Sequence, residues 1–257
     1  MIPRVYLPPE SQQQARVELD PEQSLYLCQA LRLKAGESIQ VFDGLGGRRS
    51  AKLVQANRKS CEISLGPSEA GVPAGPLNIT LIQGIAQGDR MDWVIEKAVE
   101  LGVRCIVPVQ TRRAQVRLSD DRAGKRVKHW RRIAVAACRQ SGRDDLPVIK
   151  PVNALRDALD GFAPASGPSA HFVLQPESLS LLSTAVNKKT PAPQAVSLLI
   201  GPESGLADDE VHHARDQQWQ AVGLGPRVLR TETAGLVAVS IVQAAWGDLA
   251  SCAKPSI

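Results

Sequence analysis

The sequence predicts an α/β protein with a parallel sheet, preceded by a smaller β-rich module. Three observations carry that expectation. From residue 77 onward, short apolar runs alternate with stretches of helical periodicity, the pattern of strands buried on both faces and joined by helices. Before residue 66 the apolar residues alternate with period two around an Asp43-Gly44 turn. Between these regions, residues 66–76 are rich in glycine and proline, which marks a domain boundary. A chain of 257 residues allows a moderate domain with a small partner, and 43% hydrophobic content supports a substantial core. Aromatics are only 4%, so that core must be built from Leu, Val, Ile and Ala.

Each element has its own signal. In the first module the spacing predicts a helix over 21–33, with Leu25, Leu27, Ala30 and Leu31 as its apolar residues, then strands over 38–42, 50–54 and 61–65. Gly44-Leu45-Gly46-Gly47 reads as a hairpin turn rather than a dinucleotide loop, because a strand follows where a nucleotide-binding unit needs a helix. Beyond the boundary, 77–82 is a strand. A helix over 89–101 has Met91, Val94, Ile95, Ala98 and Leu101 on one face and Gly102 to end it. A strand over 103–107 precedes a helix over 122–140, with Val127, Trp130, Ile133, Ala134 and Ala137 inward. Strands follow at 172–174, 196–200 and 221–224, with a helix over 208–217 between the last two and a closing helix over 233–249. Residues 161–169 form a Pro/Ser/Gly loop.

Composition excludes several classes. The formal net charge of +5 is a weak pointer alone, but Arg104, Arg112, Arg113, Arg117, Arg122, Lys125, Arg126, Lys128, Arg131, Arg132, Arg139 and Arg143 fall in one stretch, with Asp120 and Asp121 among them. A solvated helix face ordinarily mixes signs, so this excess favours contact with RNA or DNA. Cys28, Cys61, Cys105, Cys138 and Cys252 show no CxxC spacing, and His129, His171, His212 and His213 show no metal spacing. A reduced chain without a metal site is expected. The absence of a signal-peptide core and of any run long enough for a membrane span predicts a soluble cytoplasmic protein. There is no GxSxG, HExxH or GxxxxGK[ST].

The chemistry concentrates in two loops near the C-terminus. Leu198-Leu199-Ile200 runs into Gly201-Pro202-Glu203-Ser204-Gly205, and Leu224-Gly225-Pro226-Arg227-Val228-Leu229 into Arg230-Thr231-Glu232-Thr233-Ala234-Gly235. Loops at the carboxyl ends of parallel strands form ligand sites. Glycine permits close backbone approach and proline stiffens the turn. Thr231 or Thr233 can cap the last helix, whereas Arg230 and Glu232 are not needed for capping and suit an anionic or carbonyl-bearing substrate.

With these residues in view the chain resembles the RsmE family, 16S rRNA uridine-N3 methyltransferases of the SPOUT superfamily. The likeness runs through Leu31-Arg32-Leu33-Lys34-Ala35-Gly36, Phe42-Asp43-Gly44, Gly88-Asp89-Arg90-Met91-Asp92-Trp93, Glu96-Lys97-Ala98-Val99-Glu100-Leu101-Gly102-Val103, Gln140-Ser141-Gly142-Arg143 and the two C-terminal loops. The resemblance implies a PUA-like RNA-binding β-barrel over 1–72 and a SPOUT α/β domain with a deep trefoil knot over 73–257. It implies S-adenosyl-L-methionine as cofactor, 16S rRNA in the 30S subunit as partner, and a homodimer. The implied cofactor residues are Leu174, Gln175, Pro176, Ile200, Gly201, Pro202, Glu203, Leu224, Gly225, Val228, Leu229, Arg230, Thr231, Thr233 and Ala234. Arg230, Glu232 and Glu203 are the candidate catalytic residues, with the two carboxylates unranked as general base. Arg4, Arg32, Arg112, Arg113 and Arg143 are the candidate RNA contacts. Ser204 stands where the family usually has a second glycine, which predicts strain if that position needs positive φ. Gln87 stands where Lys is common, and Arg139 where Glu is common. The alternatives are a knotted methyltransferase acting on another RNA base or a ribose, and a non-catalytic RNA-binding protein.

Overall fold

In a computed structural model the described residues are 2–72, 75–115, 117–162, 167–189 and 191–250. Cys252, Pro73 and Ala74 of the glycine/proline stretch, and residues 163–166 of the 161–169 loop lie outside them. The chain divides into two compact units, one holding the residues up to 74 together with Cys138–Leu146, the other holding 75–137 and the chain from 147.

In the first unit β1 (Arg4–Tyr6), β3 (Ser38–Phe42), β4 (Arg48–Gln55), β5 (Glu62–Glu69) and β2 (Arg16–Glu18) lie side by side in that order. The β1–β3 pair is parallel and the others are antiparallel. Val5, Leu27, Ile39, Val41, Leu53 and Ile63 form its core. The Asp43-Gly44 turn closes as expected, with the Asp43 carboxylate accepting from the N–H of Leu45 (2.7 Å) and of Gly47 (2.9 Å). The helix predicted over 21–33 is shorter. α1 (Pro21–Leu25), capped by Asp20, passes into a π-turn over Tyr26–Ala30, and Arg32 at φ 57° ends it in the left-handed region. β5 also runs further than predicted, through Gly66 and Pro67 to Glu69. Its register against β4 shifts between Arg49 and Ala51, opposite this segment, and such a bulge admits a proline that cannot donate to the ladder.

The second unit is a seven-stranded sheet in which every pairing is parallel. Its order is β12 (Gln220–Val222), β10 (Ser169–Leu174), β11 (Ala195–Ile200), β6 (Asn78–Gly84), β7 (Cys105–Gln110), β8 (Val148–Ile149), with β9 (Asn153–Ala154) also on β7. The helices are α2 (Arg90–Glu100), α3 (Asp120–Ser141), α4 (Leu155–Asp160), α5 (Leu182–Lys188), α6 (Asp208–Asp216) and α7 (Thr231–Trp246). The last turn of α3 falls in the first unit. Helix α7 packs on α2, α5, β6 and β11, while α4 packs on α6 and β7. The short α4 and α5 were not predicted, because six and seven residues are too few to establish a helical period.

The predicted capping of the last helix is corrected by the structure. It starts at Thr231, with Arg230 as N-cap and no side-chain cap bond. The Thr231 hydroxyl turns away from its own helix to the Gly201 carbonyl. Among the described residues no helix is long and apolar enough to cross a membrane.

Candidate methyl-transfer site

Because the strands are parallel, the loops that leave β6, β10, β11 and β12 emerge along one edge of the sheet. Three of them are tied by one hydroxyl. Thr231 Oγ1 donates to the Gly201 carbonyl (2.5 Å) after β11 and accepts from Gln83 Nε2 (2.9 Å) on β6. Thr231 is buried. The loop after β11 also presses on β6, since a Cβ at Gly84 would lie 2.6 Å from the Pro202 nitrogen and Cδ. Valine at 231 has the shape of threonine but neither hydrogen bond. Thr231→Val is therefore expected to cost about 1–3 kcal/mol by urea unfolding, with Thr231→Ser retaining most of the stability.

The residues assigned to the cofactor separate into groups. Leu174, Gln175, Pro176, Leu224, Gly225, Leu229 and Ala234 line one small cavity, together with Val222, Gly223 and Arg227. Gly223 has no room for a side chain, as its Cβ would stand 2.8 Å from the Ser178 carbonyl oxygen, and Gly225 sits at φ 118°, which glycine alone adopts readily. An apolar wall with glycine-shaped backbone has the chemistry, though not yet the volume, of a nucleoside site. Ile200, Gly201, Pro202 and Thr231 do not line this cavity: Ile200 is the buried end of β11, and the other three make the contacts just described. Val228 is 80% exposed and is not part of the lining.

Arg230, Glu232 and Thr233 line a second, outer cleft of about 750 Å³ with Gln87, Gly88, Asp89, Arg90 and Trp93. The two candidate carboxylates differ sharply here. Glu203 Oε1 accepts from the Gln87 N–H (2.9 Å) and from Arg90 (2.8 Å). Burial by itself would raise its pKa, but the Gln87 amide, its own loop amide and the Arg90 guanidinium outweigh that and hold it below the ordinary value. Glu232 has one oxygen 3.9 Å from Arg90 Nε, while its Oε2 is buried with no hydrogen-bond partner among the described residues. The two carboxylates are thus engaged differently: Glu203 holds Arg90 and the Gln87 amide, whereas Glu232 meets Arg90 only at 3.9 Å.

Arg90 bridges both carboxylates, and Trp93, 44% exposed, borders the same cleft. Neither was singled out from the sequence. The signal was their place in Gly88-Asp89-Arg90-Met91-Asp92-Trp93, where Met91 carries the core periodicity and leaves 90 and 93 facing outward. Ser204 does not bear the predicted strain: the positive φ falls on Gly205 (71°), and the Ser204 hydroxyl donates to the Arg113 carbonyl.

The candidate RNA contacts also divide. Arg4 is buried and its guanidinium donates to Gln40 Oε1, the Cys138 and Arg143 carbonyls and Asp144. It is corrected to an internal donor, because nothing of it remains to meet RNA. Arg143, 13% exposed at the side chain, is held by Asp145 at 2.6 Å. Arg32 is exposed. Arg112 and Arg113 are exposed and pair with Asp209 (2.6 Å) and Asp208 (3.5 Å). On α3, Arg122, Lys125, Lys128, Arg131 and Arg132 are exposed, so the basic stretch presents a broad positive face. Arg139 stacks 3.6 Å over the Tyr26 ring, which accounts for a cation at that position.

Comparisons with known proteins agree with this geometry. A family model described as RNA methyltransferase domain matches residues 73–243, and one described as RNA methyltransferase PUA domain matches residues 19–66. A ribosomal RNA small subunit methyltransferase E from Neisseria gonorrhoeae, solved bound to S-adenosyl methionine, is 36% identical. It covers 97% of this chain and 100% of its own, with a TM-score of 0.86. A methyltransferase from Legionella pneumophila, solved in complex with S-adenosylmethionine, is 32% identical over 96% of this chain and 99% of its own, with a TM-score of 0.88. The ribosomal RNA small subunit methyltransferase E of Synechocystis is 31% identical, covering 95% of this chain and 78% of that protein. Fold and site together define an RNA methyltransferase with a PUA domain. The chain belongs to the RsmE family.

Proposed function

We propose that this protein transfers a methyl group from S-adenosyl-L-methionine to N3 of a uridine in 16S rRNA, acting on the 30S subunit as a cytoplasmic homodimer. The observation that carries the reading is Glu232, whose buried Oε2 has no partner among the described residues, in a cleft beside Arg230 on the same sheet edge as the glycine-shaped cavity. Cofactor-bound relatives at 36% and 32% identity over nearly the whole chain support the cofactor. The closed barrel of the first unit and the trefoil knot of the second belong to this proposal and rest on the family resemblance.

Leu174, Pro176, Leu224, Leu229 and Ala234 would hold the nucleoside of the cofactor by apolar contact, and the backbone around Gly225 would hold its polar edge. The cavity there measures about 40 Å³. Ligand pockets commonly span ~300–1,000 Å³, so this cavity would have to widen to admit the cofactor. S-adenosyl-L-methionine supplies a methyl group on a positively charged sulfur. Glu232 takes the N3 proton of the uracil, which a buried carboxylate without a donor is placed to do. Arg230 donates to a uracil carbonyl and Trp93 offers a face on which the unstacked base can lie. Arg90 and Glu203 hold the cleft wall in place. Alignment of base and methyl supplies the larger part of the rate.

The test is incubation of the protein with labelled S-adenosyl-L-methionine and small subunits from a strain lacking the enzyme, followed by mass analysis of the nucleosides. N3-methyluridine is expected. A methylated guanine or ribose would move the reading to another knotted methyltransferase, and no cofactor binding by calorimetry would move it to a non-catalytic RNA-binding protein.

A further inference from the structure

A separate cavity of about 560 Å³ opens beside the carboxyl end of β7 and shares no lining residue with the outer cleft or the cofactor-loop cavity. Its makeup is unlike a packing defect. Thr111 lines it, is 5% exposed, and has a buried hydroxyl with no hydrogen-bond partner among the described residues. Leu155 and Leu159, both buried, supply an apolar wall. Arg117 and Arg156 are exposed lining residues with no ion-pair partner among the described residues.

The other charges there are already matched. Arg112 pairs with Asp209 at 2.6 Å, and the Glu210 carboxylate accepts from the N–H groups of Arg112 and Ala207, both at 2.8 Å. The backbone of Leu118, next to Arg117, is fixed, because the Gln110 side chain accepts from the Leu118 N–H (3.0 Å) and donates to the Leu118 carbonyl (3.3 Å). An apolar wall, an unsatisfied hydroxyl and two free guanidiniums match the three parts of a nucleotide: base face, polar edge and phosphate.

Its position says which nucleotide. Strands β6 and β7 are neighbours, with Gly84 opposite Val109. The outer cleft begins with Gln87 just past β6, and this cavity begins at Gln110 and Thr111 at the end of β7. Adjacent strands lie ~5 Å apart, and the Gln87 and Gln115 side-chain amides hydrogen-bond across the two loops. We propose that this cavity binds one nucleotide of the RNA substrate flanking the target base, with Thr111 at its base or ribose and Arg117 and Arg156 at its phosphate. The inference rests on the RNA-substrate reading of the neighbouring cleft.

The test is salt-dependent binding of R117A/R156A and T111V to unmethylated small subunits, alongside methyl-transfer kinetics. The double variant is expected to lower the slope of log affinity against log salt by roughly one unit for each arginine removed. It should raise KM for the particle about tenfold, with kcat and S-adenosyl-L-methionine affinity unchanged. T111V should raise KM as well. A merely structural Thr111 predicts the opposite pattern, a more stable protein with unchanged KM, and that result overturns the proposal. So does saturable binding of uridine 5′-monophosphate that R117A/R156A abolishes while particle affinity stays at wild type, since the cavity then serves a free nucleotide. If the wild-type protein transfers no methyl group at all, the methyltransferase reading falls, while the salt-dependence measurement still decides the cavity.

Discussion

Glu232→Gln is expected to reduce methyl transfer by about 10²–10⁴-fold while leaving S-adenosyl-L-methionine affinity within about twofold. The substitution keeps the size and the acceptor oxygen of the side chain and removes its basicity. Glu232 suits the role because its Oε2 is buried with no partner among the described residues, in the cleft it shares with Arg230, and because Arg90 stands 3.9 Å from the other oxygen. A carboxylate in that setting lacks a hydrogen-bond donor, which an N–H on the substrate can supply. Glu203→Gln provides the contrast. Its Oε1 already accepts from Arg90 and the Gln87 amide, and its pKa is held low, so it is a poor base at neutral pH. Its loss is expected to cost no more than about tenfold, through a looser Arg90. Single-turnover transfer and calorimetry on both variants check this, and equal losses would reverse the ranking.

Arg4→Ala is expected to destabilise the first unit by about 3–5 kcal/mol, measured by denaturant unfolding, because it leaves Asp144 as an uncompensated buried charge. The Arg4 and Asp144 side chains are 7% and 0% exposed. Among the described residues the Val72 N–H at 2.7 Å and Arg48 at 3.9 Å would remain for the carboxylate, while the Cys138 and Arg143 carbonyls would each lose a donor. The loss should depend on pH in a definite sense. Burial pushes the Asp144 carboxyl above its ordinary 3.8, against the Val72 amide and the two arginines. Without Arg4 it rises further. A group whose folded pKa is raised binds more protons folded than unfolded, so stability falls as pH climbs from the ordinary value through the raised one. The Arg4→Ala deficit should therefore shrink as pH is lowered into that window. A surface RNA contact would behave differently, with stability changed by less than about 0.5 kcal/mol at every pH.

The contrast between Arg4 and Glu232 shows where sequence reasoning stops. Both were picked by residue type and position. Arg4 is three residues from the start of the chain, and nothing local connects it to Asp144, which lies 140 residues on. Burial of a charge by a distant partner has no local signature, so the arginine read as a surface cation. Glu232 and Glu203 were level for the same reason. Their difference lies in Arg90, which is 113 residues from Glu203 and reaches it only because β6 and β11 are neighbours in the sheet.

The sequence by itself determined the alternation of strand and helix, the parallel sheet, the β-rich first module, the Asp43-Gly44 turn and the two Gly-Pro loops proposed to carry the chemistry. These are periodic or local properties, set by side-chain spacing, by proline's fixed φ and by glycine's freedom. The family resemblance rested on local motifs in order along the chain. Only the tertiary structure decided that Thr231 binds the Gly201 carbonyl rather than capping its helix, that Gly205 rather than Ser204 takes the positive φ, and that Val228 points outward. It alone placed Thr111 beside Arg117 and Arg156, all three without a side-chain partner among the described residues. Each of these depends on which strands become neighbours and so on which loops share an edge. That order follows from packing the apolar faces together, a global minimum over the whole chain that no window of sequence contains.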